Sequence, residues 1–259
     1  VDRKRQADTD AIPSEASALE IHWDRLKERQ LKDFRSRAIN SLVLKHAQGL
    51  DILDVGYGMG AFILQASEAG FVPAGIDVSQ RMAENTRACL RARGLDEEIV
   101  RHGDITEIVD SYSTVTLLDV IEHVENDEEL LIEAAGRVRN GGRLIVVVPA
   151  VPMLFGPRDL KFGHFRRYNK STLGEALGHT GLRISTLRYW NFIGLGPAFV
   201  TSKVLRSDLN DSFRFGSSLG SKILNTLLLS WLSYIENNFA FPLGLSLVAV
   251  AVKHDPPKF

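Results

Sequence analysis

The sequence predicts an α/β fold, a doubly wound and mainly parallel sheet of seven strands with a helical insertion between the last two. Two observations carry this prediction. Short apolar runs alternate with longer stretches of helical spacing, in repeated β–α order. Most of these runs stop at an acidic residue or at glycines, as buried parallel strands do where they give way to ligand-facing loops.

The first strand is Leu50–Val55, closed by Gly56, Gly58 and Gly60. Glycines there permit backbone angles closed to other residues and let a ligand approach the main chain. A helix over Ala61–Ala69 follows, ended by Gly70. Val72–Asp77 is the second strand, and its terminal acid stands twenty-one positions after Gly56. In nucleotide-binding α/β folds a carboxylate so placed accepts hydrogen bonds from ribose hydroxyls. Two cofactors fit the spacing, because Gly56, Gly58 and Ala61 also satisfy a looser dinucleotide pattern. A dinucleotide sets its pyrophosphate against the helix N-terminus, where a nearby carboxylate is unfavourable. S-adenosylmethionine carries a sulfonium and an α-amino group instead, so Asp54 favours it.

Ser79–Arg93 reads as the next helix, with a capping serine and a terminating Gly94. Ile99–His102 is the third strand, followed by Gly103, Asp104 and Ile105. Val115–Leu118 is the fourth and ends at Asp119. After a helix over Asn126–Arg139, Gly141 and Gly142 turn into the fifth strand, Arg143–Val148. Ser171–His179 is a short helix, and Leu182–Tyr189 and Leu245–Val252 are the sixth and seventh strands. Open parallel sheets bind ligands outside the carboxyl ends of their strands. Asp54, Asp77, Asp104 and Asp119 are therefore expected to converge on one rim.

Taken in order, Asp54–Gly60, Gly75–Val78, His102–Ile105, Leu117–Val124 and Asn140–Ile145 resemble the class I S-adenosylmethionine-dependent methyltransferases. The branch that they resemble most includes ubiquinone and menaquinone biosynthesis enzymes and many natural-product methyltransferases. The resemblance covers residues 48 to 150, with weaker similarity beyond. It implies a Rossmann-like domain and S-adenosyl-L-methionine as cofactor. It further implies cofactor contacts at Asp54, Gly56, Tyr57, Gly58, Gly60, Asp77, Val78, Asp104, Ile105 and Asp119. In the family, the acid matching Asp104 accepts from the adenine amino group while its apolar neighbour packs on the ring. Tyr57 departs from the small residue or cysteine of many relatives, which leaves the backbone contacts of the loop untouched.

The acceptor side is read from two further segments. Asp119, Glu122 and His123 are close enough to bind a divalent metal, or His123 could act as a base, since an imidazole titrates near neutrality. The plainer expectation is a pocket wall with no metal, and activity that survives chelation. Gly163–Tyr168 follows the fifth strand, where the family places its substrate, and resembles a subgroup signature. It offers an imidazole at His164, anion-binding forks at Arg166 and Arg167 and the phenol of Tyr168. His123, His164, Arg167 and Tyr168 are the candidate catalytic residues.

Residues 1–18 are polar, lack the apolar core of a signal peptide, and are expected to be mobile ahead of one domain over 19–259. A helix over 21–47 is expected as a lid, with Trp23 or Phe34 facing the core or the cofactor. Residues 191–243 replace the short turn that usually joins the last two strands and are expected to form a helical cap over the acceptor. Their 219–241 part, too polar for a confident membrane span, is alternatively a homodimer surface or a peripheral membrane helix. The chain has 31 basic and 32 acidic residues, which argues against a generally basic nucleic-acid binder. A single cysteine, Cys89, fits a reducing cytoplasm.

The expected activity is methylation of a small-molecule acceptor, a natural-product or isoprenoid-like intermediate with a polar or anionic head. Two alternatives use the same motifs: an NAD(P)-dependent oxidoreductase, and a non-catalytic S-adenosylmethionine-binding partner subunit.

Overall fold

The computed structural model describes residues 33–200 and 218–254. Its seven strands are β1 (Asp51–Val55), β2 (Val72–Asp77), β3 (Val100–His102), β4 (Tyr112–Leu118), β5 (Val138–Pro149), β6 (Arg183–Trp190) and β7 (Ser246–Val252). They form one sheet in the order β3-β2-β1-β4-β5-β7-β6. β7 runs antiparallel to both of its neighbours and the other pairs are parallel. The carboxyl ends of β1 to β6 therefore share one edge, where the chain also enters β7.

The helices are α1 (Phe34–His46), α2 (Ala61–Glu68), α3 (Gln80–Arg91), α4 (Asp127–Gly136), α5 (Pro157–Lys161), α6 (Lys170–Gly178), α7 (Leu195–Phe199) and α8 (Leu219–Ser230). α8 continues as a wider turn over Trp231–Glu236. Local chemistry sets several starts. Ser79 accepts from Met82 N–H at 3.3 Å to begin α3, and Asn126 accepts from Glu129 N–H at 3.4 Å to begin α4. Asp127, Glu128 and Glu129 fill the first turn of α4, where negative charge meets unpaired N–H groups.

Side chains alternate across the strands and so bury apolar residues on both faces of the sheet. Leu144, Val146 and Val148 of β5 face one side with Leu131, Ala134 and Ala135 of α4 and Leu173, Ala176 and Leu177 of α6. Ile145 and Val147 face the other with Ala38, Ile39, Leu42 and Val43 of α1, Phe62 of α2 and Leu232. Helices thus cover both faces, as the doubly wound prediction requires.

Several boundaries differ from the expected ones, for local reasons. β5 begins at Val138 and includes Gly141 and Gly142, because the β4–β5 pairing carries an irregularity there that absorbs the glycine turn. Of the expected 21–47 helix, residues 34–46 are helical and pack on the sheet, with Phe34 partly buried against that core. Residues 21–32, including Trp23, lie outside the described residues, as do the N-terminal 1–18 segment and 201–217 of the insertion.

The described end of the insertion is tied into the domain. Leu232 is 1% exposed in the α1 core. Asn237 accepts from Trp190 Nε1 at 2.9 Å and donates to Ala38 O at 2.9 Å. The buried Glu236 accepts from the backbone N–H groups of Phe192 and Ile193 and from Trp231 Nε1. Leu219, Ile223 and Leu227 of α8, by contrast, are exposed. No described helix is long and apolar enough to cross a membrane.

Leu232→Ala should cost about 2–4 kcal/mol, because it opens a hole in a packed core. Leu227→Ala should stay within about 0.5 kcal/mol. Urea unfolding of both variants measures this; equal losses would contradict the division of the helix into an anchored end and an exposed one.

Candidate active site

At the shared edge, β1 passes into a loop pinned from two sides. Gly56 N–H donates to Ile76 O at 2.8 Å and Gly58 N–H donates to Asp77 Oδ2 at 2.9 Å. Gly60 (φ 73°) starts α2 so close to Thr86 that an added Cβ would lie 2.4 Å from Thr86 Cγ2. At Gly58 an added Cβ would meet nothing within 4 Å, so the loop presents bare backbone to open space. Asp77 also accepts from Ser79 N–H at 2.8 Å. A carboxylate offers about four lone-pair sites, so two remain for a ligand. Val78 beside it is 74% exposed, an apolar surface without a protein partner to cover it.

Asp104 is exposed, and one of its oxygens, Oδ1, accepts from Thr106 N–H and Oγ1, which holds the carboxyl below its usual range. Ile105 packs inward, 5% exposed. Asp119 is exposed at the end of β4, with Arg35 Nη1 3.5 Å from its Oδ2. Arg35 also donates to Ser246 Oγ at 2.9 Å and lies 5.9 Å from the Trp190 ring centroid.

Three of the four acids expected on the rim stand there. Asp54 does not face it: the side chain is 2% exposed and accepts from Thr116 Oγ1 at 2.7 Å. Burial pushes its pKa up to about 7, with the charge of Asp77 adding to the rise. Tyr57 is likewise inside, its ring against Gly75 and its hydroxyl donating to Arg101 O at 3.1 Å.

Past the ends of three strands the chain is strained, and beyond β5 it is stitched back to the edge. Asp119, Val151 and Asn191 have φ of 53°, 63° and 64°, just past the carboxyl ends of β4, β5 and β6. Such angles cost about 1–3 kcal/mol each and cluster where function constrains the backbone. Val151 N–H donates to Tyr168 O, Tyr168 N–H to Pro149 O and Phe165 N–H to Glu122 O. These bonds dock the Gly163–Tyr168 segment against the short turn Ile121–His123 that follows β4.

The docking brings His123 and His164 together, ring centroids 4.6 Å apart and edge to face. It sends other expected groups elsewhere. Tyr168 is 2% exposed and donates to Asp127 Oδ2 at 2.6 Å. Arg166 donates to Asp127 Oδ1 at 2.5 Å and to Glu125 O at 2.6 Å. Arg167 Nε donates to Asp159 Oδ1 at 2.8 Å, and its Nη1 to Ala150 O at 3.2 Å. Tyr168 and both arginines thus brace the loop, Arg166 and Arg167 each through a carboxylate and a backbone carbonyl.

Asp159 is the residue that the sequence motifs passed over. It is 1% exposed and takes bonds from Arg167, from Gly156 N–H and, at 3.0 Å, from His164 Nδ1. Its position five residues before His164 was the available signal. Arg35 offered none, because only the fold brings α1 to Asp119. Partial burial and the neighbouring His164 lower the pKa of His123, while backbone hydrogen bonds and Asp119 oppose the shift. Glu122 is fully buried, which raises its pKa well above the carboxylate range, and Asp119 raises it further. A separate groove of about 350 Å³ between α1 and α2, lined by Ser36, Arg37, Gln65, Glu68 and Arg93 among others, contains none of these groups.

Residues 23–187 match the family model described as a methyltransferase domain. The chain belongs to the class I S-adenosylmethionine-dependent methyltransferase family. Membership selects the sulfonium cofactor over the dinucleotide for the same loop, and the free valences of Asp77, the bare backbone at Gly58 and the uncovered Val78 fit it.

Among curated relatives, a demethylmenaquinone methyltransferase of Tropheryma whipplei is 29% identical over 126 residues, 48% of this chain and 52% of that protein. A ubiquinone biosynthesis O-methyltransferase of Rickettsia felis is 30% identical over 99 residues, 38% of this chain and 40% of that protein. The chain thus spans about half the length, or less, of these relatives. In fold it matches a geranyl diphosphate methyltransferase solved with S-adenosylmethionine (TM-score 0.56, 16% identity, 83% of this chain and 84% of that one). It also matches a Haloferax volcanii complex of the Trm112 methyltransferase activator with a methyltransferase (TM-score 0.59, 16% identity, 95% and 98% covered).

Asp54→Asn tests the buried carboxyl. A raised folded-state pKa favours folding below the unfolded value near 3.8, and that contribution is lost as pH rises toward about 7. Without cofactor, the variant should gain stability relative to the parent across that window, on the order of 3 kcal/mol by its upper end. Urea unfolding from pH 4 to 8 measures the difference; a constant difference would contradict the shift.

Proposed function

We propose that this methyltransferase-family chain methylates a small-molecule acceptor at the edge between the glycine loop and the His123–His164 pair. The pairing of those imidazoles beside the end of β4, by a segment that follows β5, is the observation that carries this reading. S-adenosylmethionine, when bound, supplies an electrophilic methyl group on its sulfonium. The residues then have separable tasks. Asp77 accepts from ribose hydroxyls and Asp104 from the adenine amino group, while the exposed Val78 flanks the ring. Asp119, held by Arg35, borders the cofactor from the end of β4. His164, oriented by Asp159 through Nδ1, keeps its Nε2 free to take a proton from the acceptor, and His123 lines the same space. Alignment of the acceptor against the methyl group supplies most of the remaining acceleration.

The acceptor class is a quinol-like, natural-product or isoprenoid-like intermediate with an apolar portion. Two features support it: the names of the curated relatives, and the apolar Phe192, Ile193 and Phe241 where the insertion leaves the sheet edge. A cap role for residues 191–243 belongs to the same reading. So does a cytoplasmic enzyme that meets a membrane or a second copy through the exposed side of α8.

A panel of phenolic, carboxylate and prenylated acceptors, scored by S-adenosylhomocysteine release, tests the proposal. Turnover is expected with at least one phenolic acceptor that bears an apolar group. Cofactor binding without release from any acceptor would favour the non-catalytic subunit. With the active acceptor, His164→Ala should lower kcat roughly 10²-fold or more, with a smaller change in KM. An unchanged kcat would remove His164 from the reaction.

A further inference from the structure

Glu122 occupies a position that its own protein environment does not explain. The residue is fully buried, and neither carboxylate oxygen has a hydrogen-bond partner among the described residues. Other buried acids of this edge are satisfied: Asp54 by Thr116, Asp127 by Tyr168 and Arg166, Asp159 by three donors. Burying a carboxylate without a partner is costly, so native structures pair such groups with cations, donors or metals.

Two imidazoles lie close to the orphaned carboxylate. Glu122, His123 and His164 each bring one potential ligand atom to within 4.8 Å of the others. Their placement is built rather than incidental. The Ile121–His123 turn presents the first two, and Phe165 N–H bonding to Glu122 O at 2.7 Å fixes the strand of chain that carries the third. His164 Nδ1 is held by Asp159, which is itself held by Arg167 and Gly156 N–H. A carboxylate that takes one ring nitrogen of a histidine sets the tautomer and turns the other nitrogen's lone pair outward, the usual support behind a metal-bound histidine.

We propose that Glu122, His123 and His164 bind one divalent first-row transition cation of the zinc class. Two imidazoles and one carboxylate suit zinc, cobalt or manganese better than magnesium or calcium, which prefer all-oxygen surroundings. Drawing the three ligands onto one ion requires them to close by up to about 1.4 Å from their present spread, since bonds of ~2.0–2.2 Å set tetrahedral ligands roughly 3.4 Å apart. Side-chain rotation of the exposed His123 provides part of that freedom. Three protein ligands leave a coordination position open toward the acceptor side. This binding does not depend on the methyl-transfer reading; it would replace only the base role given there to His164, since a ring nitrogen bound to a cation takes no proton.

The test uses tag-free full-length protein, stripped with chelator and exchanged into metal-free buffer. Cobalt(II) is titrated while visible absorption is followed, and zinc(II) and magnesium are titrated by calorimetry. One equivalent of cobalt with a tetrahedral or five-coordinate spectrum, displaced by zinc, is expected, with no comparable heat from magnesium. Glu122→Gln and His123→Ala should each weaken zinc affinity at least tenfold. Asp159→Asn, outside the ligand set, should weaken it roughly 10–100-fold while sparing the one-to-one stoichiometry. His123→Ala changes an exposed side chain and so keeps the test open if Glu122→Gln fails to fold. A folded parent chain that gives no cobalt spectrum, or a His123→Ala chain with parental zinc affinity, would overturn the site. Cation uptake without methyl transfer would leave the site standing and count against the proposed activity alone.

Discussion

The carboxylate of Asp77 is the interaction on which the candidate site depends. It ends β2 and takes the N–H groups of Gly58 and Ser79, joining the glycine loop after β1 to the start of α3. Both loops would otherwise have little to define them, because glycines carry no side chains to pack and lose much freedom on ordering. One buried acid thus stiffens two loops and retains lone pairs for a ligand. Thr86 supports the same loop from α3, donating to Gly58 O at 3.0 Å.

The other half of the edge is organised by acids of a different kind. Asp127 gathers Arg166 and Tyr168, and Asp159 gathers Arg167 and His164. Paired in this way, the charges near the carboxyl end of β5 hold a strained loop in one arrangement instead of pointing at solvent. Removing one partner of such a buried pair generally costs more than the pair contributes, because the other is left unmatched. Arg166, Arg167 and Tyr168 are therefore better understood as the frame that presents His164. The motif groups left outside this frame are fewer than the motif suggests: the two imidazoles in contact with each other, beside the partly exposed apolar residues of the insertion.

The sheet was legible because each buried strand leaves a local record, an apolar run of suitable length stopped by glycine or an acid. The rim positions of Asp77, Asp104 and Asp119 followed from the same record. Asp54 shows its limit, since β1 ends at Val55 as the sequence indicates, yet the carboxylate turns inward onto Thr116 rather than to the rim. Side-chain partners across the chain left no such record. Nothing near Tyr168 announces Asp127, forty-one residues earlier, and nothing near Asp119 announces Arg35 on α1. For the insertion, helical spacing was readable over α8, but which end is anchored depends on Leu232 and Asn237 meeting α1 and β6.

The central claim is that the β1 loop and Asp77 form the S-adenosylmethionine site, and calorimetric titration of the parent chain and Asp77→Asn tests it most directly. The substitution keeps the size of the side chain but weakens its hydrogen bonds to ribose hydroxyls and to the loop. Hydrogen bonds to a charged group contribute about 1.5–3 kcal/mol, so affinity should fall roughly tenfold or more. Cooperative unfolding of the variant would confirm that the fold survives. The same S-adenosylmethionine affinity in both folded proteins, or no binding to the parent, would contradict the account.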